Sequence, residues 1–254
     1  LEKERDSSRR SKVLKDIIRK KAIRTLYQPI VDLWNKEIIG YEALSRGPTN
    51  EFEDPDYLFK IASEADAIWR LERLCRLQAF KGACQLQDGK LLFVNVEPHA
   101  IYDPKFRSSE TLSQMAESGL TPERVVIELT EHTAMMDFPE FRQTLQLFKA
   151  LGFKVAIDDM GSGYSSLQSI AELCPDFIKM DMSLTRNLHL DPIKQELVST
   201  IARFSEKIGM TIIIEGVETA AELEALKKLG IRFAQGFYFA FPGNPFPEVD
   251  PAKF

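Results

Sequence analysis

Cysteine, histidine and tryptophan are scarce: the 254 residues include three, three and two of them. Cys75, Cys84 and Cys174 are odd in number and lack metal-type spacing, which predicts reduced thiols and a cytoplasmic compartment. His99, His132 and His189 are scattered, with no HExxH or Cys-His cluster, so nothing in the sequence points to zinc. No run of eighteen apolar residues occurs, which excludes a membrane-spanning helix by this reading. There is no secretory signal pattern, no internal repeat and no low-complexity stretch. The chain starts at Leu1 rather than Met, and the expectation is a fragment whose upstream regulatory domain is missing.

Hydrophobic residues make up 44%, enough for a sizeable core, and the length suits one large α/β domain. The net charge of −5 is unevenly spread. Residues 1–24 hold ten Lys/Arg against four Asp/Glu and carry +6, leaving −11 on the rest. An acidic body argues against a nucleic-acid polymer as partner. Residues 1–24 read as a charged linker or signalling helix with Val13, Leu14, Ile17 and Ile18 on one face. The catalytic domain is expected over 25–254.

Eight β-rich segments follow: Leu26–Val31, Ile38–Leu44, Leu91–Val96, Val125–Leu129, Lys154–Ile157, Phe177–Met180, Thr211–Ile214 and Phe233–Phe237. Helical patterns lie between most of them, over Tyr57–Gln85, Ser109–Ser118, Glu140–Leu151, Ile193–Ile208 and Thr219–Leu229. Such alternation predicts an α/β fold with a mostly parallel sheet, and eight strands suggest a closed (β/α)8 barrel of the TIM type. Only about six residues separate the first two strands, too few for a parallel crossover, so one strand is expected antiparallel. The proline-rich tail after Phe241 should be irregular.

Polar residues stand at the strand C-termini: Glu42, Asn95, Glu128, Asp158 with Asp159, Lys179 with Asp181, Glu215, and Gln235 in the eighth strand. Those ends converge on one face of a barrel, where active sites are assembled. Carboxylates crowded there need protons or cations. Oxygen ligands with one amide favour hard ions, Mg²⁺ or Mn²⁺, and the Asp158–Asp159 pair suits two ions held close together. Any one of these acids alone is more often a solvated loop residue, and Lys179 alone an ordinary ion-pair partner. Six coordinated strand ends argue for a site.

The run Glu42-Ala43-Leu44 at the end of the second strand, followed in order by Asn95, Glu128, Asp158-Asp159, Lys179-Met180-Asp181 and Glu215-Gly216-Val217 at the later strand ends, resembles the EAL family of cyclic di-GMP phosphodiesterases. Gly40-Tyr41-Glu42-Ala43-Leu44-Ser45-Arg46 is similar to the family's signature, and Leu26-Tyr27-Gln28-Pro29-Ile30-Val31 to its opening strand. Phe93-Val94-Asn95-Val96, Glu128-Leu129-Thr130-Glu131, the double-aspartate run Asp158–Leu167, Ile178-Lys179-Met180-Asp181, Ile214–Thr219 and Gln235-Gly236-Phe237 complete the series. The resemblance implies metal ligation by Glu42, Asn95, Glu128, Asp158, Asp159 and Glu215, with Asp158 bridging two divalent cations and Ca²⁺ inhibitory. It implies catalytic roles for Lys179, Glu215 and Glu42, and substrate contacts from Gln28, Leu44, Arg46, Asp181 and Gln235. Glu131 and Glu218 would brace the double-aspartate loop, and a homodimer is expected. Two departures stand out: Met160 where the family commonly has Phe, and Gly47-Pro48 where an aromatic often follows the arginine. Neither removes a ligand. The alternative reading is a degenerate domain that binds cyclic di-GMP without cutting it. An unrelated sugar-phosphate barrel is disfavoured by the lack of a glycine-rich phosphate loop after the seventh strand.

Overall fold

The computed structural model describes residues 2–48, 50–97, 109–130, 138–161 and 174–254. Eight strands close into a barrel in sequence order: β1 Arg24–Asp32, β2 Glu37–Arg46, β3 Leu91–Asn95, β4 Val125–Thr130, β5 Lys154–Met160, β6 Phe177–Met180, β7 Thr211–Ile214 and β8 Phe233–Gln235. β1 is antiparallel to both of its neighbours and every other pairing is parallel. The short β1–β2 connection therefore forces what the sequence predicts, one reversed strand in a (β/α)8 frame. The described helices are α1 Glu2–Lys20, α2 Pro55–Glu64, α3 Ile68–Gly82, α4 Ser109–Glu117, α5 Phe138–Ala150, α6 Met182–Thr185, α7 Pro192–Lys207 and α8 Ala220–Lys228. Among the described residues no helix is long and apolar enough to cross a membrane.

Two-residue alternation builds the barrel interior and the site together. Residues two apart on a strand share a face. Phe93, Val126, Ala156, Phe177 and Ile213 form one buried cluster with Ile30 inside the barrel. Two positions further along the same strands stand Asn95, Glu128, Asp158, Lys179 and Glu215. An apolar plug thus supports a polar layer at the strand C-termini. Larger apolar clusters fill the space between strands and helices, one under α3, α4 and α5 and one under α7 and α8.

The single helix expected over Tyr57–Gln85 is two helices. The chain turns at Ala65–Ala67, where Asp66 takes the left-handed conformation with φ +50°. Asp can adopt that region at modest cost, and no glycine or proline marks the break in the sequence. The eighth strand ends at Gln235, two residues early, because Gly236 packs directly on the backbone of Val217. A Cβ at Gly236 would lie 2.1 Å from the Val217 carbonyl oxygen, so no side chain fits there. The apolar face of α1 is not solvated: Leu14 and Ile17 are buried with Phe52, Leu58 and Leu71 beneath α2 and α3. The tail is irregular apart from an antiparallel bridge between Gly243 and Tyr27 and one 3₁₀ turn at Pro251–Lys253, and Phe246 packs on Tyr27 and Tyr41, with ring centroids 4.3 and 4.8 Å away.

Candidate active site

Lys179 is the centre of the polar layer. Its side chain is 0% exposed, and its Nζ lies 2.8 Å from Glu128 Oε1 and Glu215 Oε1 and 3.2 Å from Glu42 Oε2 and Asp158 Oδ1. Four strands thus deliver four carboxylates to one ammonium. Asn95 Nδ2 donates to Glu42 Oε1 and Glu128 Oε2 at 3.2 Å each, and Gln235 Nε2 donates to Glu42 Oε2 at 2.6 Å and Gln28 Oε1 at 3.1 Å. These amides hold Glu42 and Glu128 in fixed orientations.

Consecutive residues on a regular strand face opposite ways, yet both aspartates reach the site. The β5–β6 register shifts between Ile157 and Met160, and Asp159 sits at φ +58° in this bulge. Asp158 turns into the cluster and is buried, its Oδ1 accepting the Asp159 N–H at 2.9 Å; Asp159 stays exposed. A bulge that re-aims a side chain is a recurrent device beside active sites. Met160 is buried in the apolar cluster behind it.

The electrostatics are unbalanced toward negative charge. Burial alone would lower the Lys179 pKa, but Asp158, Glu128, Glu215 and Glu42 outweigh it and raise it well above its usual value. Burial raises the carboxyls in turn. Glu128 is pushed well above the usual carboxylate range by desolvation, and Asp158 also rises, each against the pull of Lys179. Burial and the neighbouring Asp158 push Asp159 up to about 6, and burial pushes Glu215 up to about 8. One ammonium among five carboxyls leaves room for more positive charge. Oxygens of Glu42, Glu128 and Asp158 lie within 4.8 Å of one another, as do those of Asp158, Asp159 and Glu215. Two all-oxygen groups sharing Asp158 fit hard divalent cations.

Two cavities flank the cluster and meet at Asp159. One, about 210 Å³, is lined by Gln28, Asp181, Met182, Glu215, Glu218 and Phe237, among others. The other, about 360 Å³, is lined by Leu44, Arg46, Glu72, Arg76, Asn95 and neighbours. Asp181 caps α6, accepting the Ser183 N–H at 2.9 Å, and Arg46 Nη1 donates to the Ser45 carbonyl at 2.8 Å. Glu218 is exposed on the rim, 3.6 Å from Arg186. The loop it was expected to brace runs into residues outside the described set, and Glu131 lies outside it as well.

Sequence reasoning missed Glu72, Arg76 and Phe237. Glu72 and Arg76 are nearly fully buried on α3 and joined at 2.8 Å, one helical turn apart. Both stand within a helical pattern, where a charge reads as solvated until packing shows that its face is inside. Phe237 is 46% exposed and stacks at 4.6 Å on Phe241, an exposed aromatic pair beside a polar cleft.

A closed barrel with one reversed strand and an acid-lined cleft at its strand C-termini defines a class of cleft that suits cation-assisted chemistry. The family model for the EAL domain matches residues 11–242, and the chain belongs to that family. BlrP1 of Klebsiella pneumoniae, in a complex with calcium and cy-diGMP at pH 8.0, is similar at a TM-score of 0.83 and 35% identity, over 90% of this chain and 58% of that one. A standalone EAL protein from Vibrio cholerae O395 in its c-di-GMP-bound form gives a TM-score of 0.80 at 34% identity, covering 91% of this chain and 97% of that one. The cyclic di-GMP phosphodiesterase PdeR of Escherichia coli K12 is 32% identical over 222 residues, 85% of this chain and 33% of its own length. The chain spans between 28% and 53% of the length of the curated relatives it matches.

Proposed function

We propose that this chain hydrolyses one phosphodiester bond of cyclic di-GMP to linear 5′-pGpG with the help of two divalent cations, Mg²⁺ or Mn²⁺. The observation that carries the reading is the Lys179-centred carboxylate layer lying between two cavities that share Asp159. A cyclic dinucleotide has two nucleobases joined through two phosphates, and a cavity on each side of the chemistry suits one base each.

Glu42, Asn95, Glu128 and Asp158 would hold one cation, and Asp158, Asp159 and Glu215 the other. Bound cations supply Lewis-acid neutralisation of the phosphate oxygens. The oxygen of a water molecule forms the new bond to phosphorus, the P–O3′ bond breaks, and the 3′ oxygen leaves as a hydroxyl. Lys179, held charged by its carboxylates, orients that water and stabilises the developing negative charge. Arg46, which lines the larger of these two cavities, offers a planar fork to a phosphate. Guanine presents the O6 acceptor beside the N1–H donor, which the adjacent guanidinium and carboxylate of Arg76 and Glu72 complement. Phe237 offers a face on which the other base stacks.

Residues 25–254 form the phosphodiesterase unit in this proposal, with 1–24 as its linker helix. The exposed apolar residues Leu190, in the 3₁₀ turn before α7, and Ile193 and Leu197, on α7, support a homodimer. Turnover measured against a chelator tests the mechanism. Hydrolysis stops in excess chelator and returns with Mg²⁺ or Mn²⁺, while Ca²⁺, with its looser shell, inhibits. Undiminished turnover in chelator removes the cations from the reaction.

A further inference from the structure

One buried carboxylate outside the polar layer ties together two loops that wall the smaller cavity. Glu222 is 4% exposed, in the first turn of α8. Its Oε2 accepts the backbone N–H groups of Glu218 and Thr219, each at 3.0 Å, and its Oε1 accepts the N–H of Asn187, also at 3.0 Å. The first pair belongs to the segment after β7, and the third to the segment after β6. Thr219 Oγ1 accepts the Glu222 N–H at 3.2 Å, completing a capping box. A capping box satisfies its own helix and needs nothing from Asn187. The bond to Asn187 is an addition.

The two segments so joined carry much of the cavity wall: Asp181 and Met182 on one, Glu215, Gly216 and Glu218 on the other. They meet at the front too. Gly216 has φ +68°, and a Cβ there would lie 2.3 Å from Met182 Cβ, so the loops pack with no space between them. Behind, the Lys194 ammonium donates to the carbonyls of Ser183 and Arg186 at 2.6 and 2.9 Å and holds α6 against α7. Asn187 itself stands in the left-handed region at φ +58°, so its N–H points where an ordinary helical residue's would not. A carboxylate with two acceptor oxygens serves both loops at once; no neutral side chain of that length does.

We infer that Glu222 is a positioning residue that latches the loops after β6 and β7 into one rigid wall and thereby sets the affinity of the cleft for its nucleotide. This rests on the functional reading above for the identity of the nucleotide. Glu222 touches no reacting atom, so its loss acts on substrate binding. Glu215 keeps its own anchors, the Lys179 ammonium at 2.8 Å and a backbone bond from its N–H to the Met180 carbonyl at 3.0 Å.

Two substitutions separate latch from cap. Gln also serves at the third position of a capping box, so Glu222→Gln keeps the helix start. Its single carbonyl oxygen satisfies one loop, and its NH₂ faces an N–H donor on the other. Thr219→Ala removes the hydroxyl of the cap and leaves both carboxylate oxygens on their loops. Both variants and the parent are compared with cyclic di-GMP and Mn²⁺, with amide hydrogen exchange at Asn187 read in parallel. Glu222→Gln raises KM about tenfold, as loss of one buried hydrogen bond predicts, with kcat within about threefold and Asn187 exchanging faster. Thr219→Ala lowers Tm, as loss of a helix cap does, and leaves KM near the parental value. An unchanged KM for Glu222→Gln, or unchanged protection of Asn187, overturns the latch. A parent that neither binds nor cuts the nucleotide sinks the functional reading, while the exchange at Asn187 still decides the latch.

Discussion

The ammonium of Lys179 stands 2.8 Å from Oε1 of Glu128, and both side chains are wholly out of solvent. Such a pair is weak evidence for stability, because desolvation of both charges offsets their attraction. Its value lies in the surplus around it. Three further carboxyls face the same ammonium and a fourth, Asp159, lies beside them, and that surplus sets the expected response to pH and to cations.

Burial raises Asp159 to about 6 and Glu215 to about 8, with Glu128 and Asp158 also raised. A carboxyl whose pKa is higher in the folded chain than in the unfolded one stabilises the fold while protonated. That contribution is full below the unfolded value and is lost as pH rises through the folded value. The cation-free protein therefore loses stability from about pH 4 to about pH 8 as these groups ionise. Saturating Mn²⁺ flattens that slope, and cation binding at pH 7 releases protons. Melting curves across this range, with chelator and with Mn²⁺, check it; a chelated protein whose Tm rises steadily toward pH 8 contradicts it.

Asp158→Asn removes the carboxylate shared by the two oxygen groups. Activity falls on the order of a hundredfold or more, since a cation or its charge is lost. The chelated variant melts no lower than the parent at pH 8, because one repelling charge has gone. Glu42→Ala and Glu215→Gln behave alike in activity. Parallel assays and melts read both effects, and near-parental turnover in any of the three removes that residue from the ligand set.

Lys179→Ala takes away the cation that four carboxylates share. Breaking a buried ion pair costs about 3–5 kcal/mol, so the chelated variant melts well below the parent. With Mn²⁺ saturating, kcat falls far more than affinity for the nucleotide weakens. If affinity collapses while kcat holds, Lys179 anchors a phosphate and has no part in activating water.

Phe237→Ala removes an exposed face from the cavity wall without opening the core. Stacking of a base on an aromatic ring is worth about 1–3 kcal/mol, so KM rises about fivefold or more, kcat stays within a few-fold and Tm is unchanged. An equal KM for the parent and the variant places the base elsewhere.

The strands and their acidic ends were legible because each inward apolar residue is followed two positions later by its polar partner. Phe93 precedes Asn95, and Ile213 precedes Glu215. The reversed strand was legible from a loop too short for a crossover. The break between α2 and α3 was not, since an Asp at φ +50° looks like any helix-surface Asp. Nor was the bulge that turns Asp159 toward the site, because strand alternation alone sends it away. Glu72, Arg76 and Glu222 were invisible for a common reason. Each is a charged residue in a helix, read as solvated by default, and only packing shows that its face is inside. Met160 is buried in an apolar cluster with Ile178 and Met180. Replacing it by Phe, a swap between apolar residues, should change kcat by less than about tenfold.

The decisive measurement is separation of the nucleotides after the protein has been incubated with Mn²⁺ and cyclic di-GMP. A carboxylate layer that carries out hydrolysis converts the cyclic dinucleotide into linear 5′-pGpG, and Lys179→Ala leaves it cyclic. Complete recovery of intact cyclic di-GMP from a parent protein that demonstrably binds it would make this chain a receptor and contradict the hydrolytic reading.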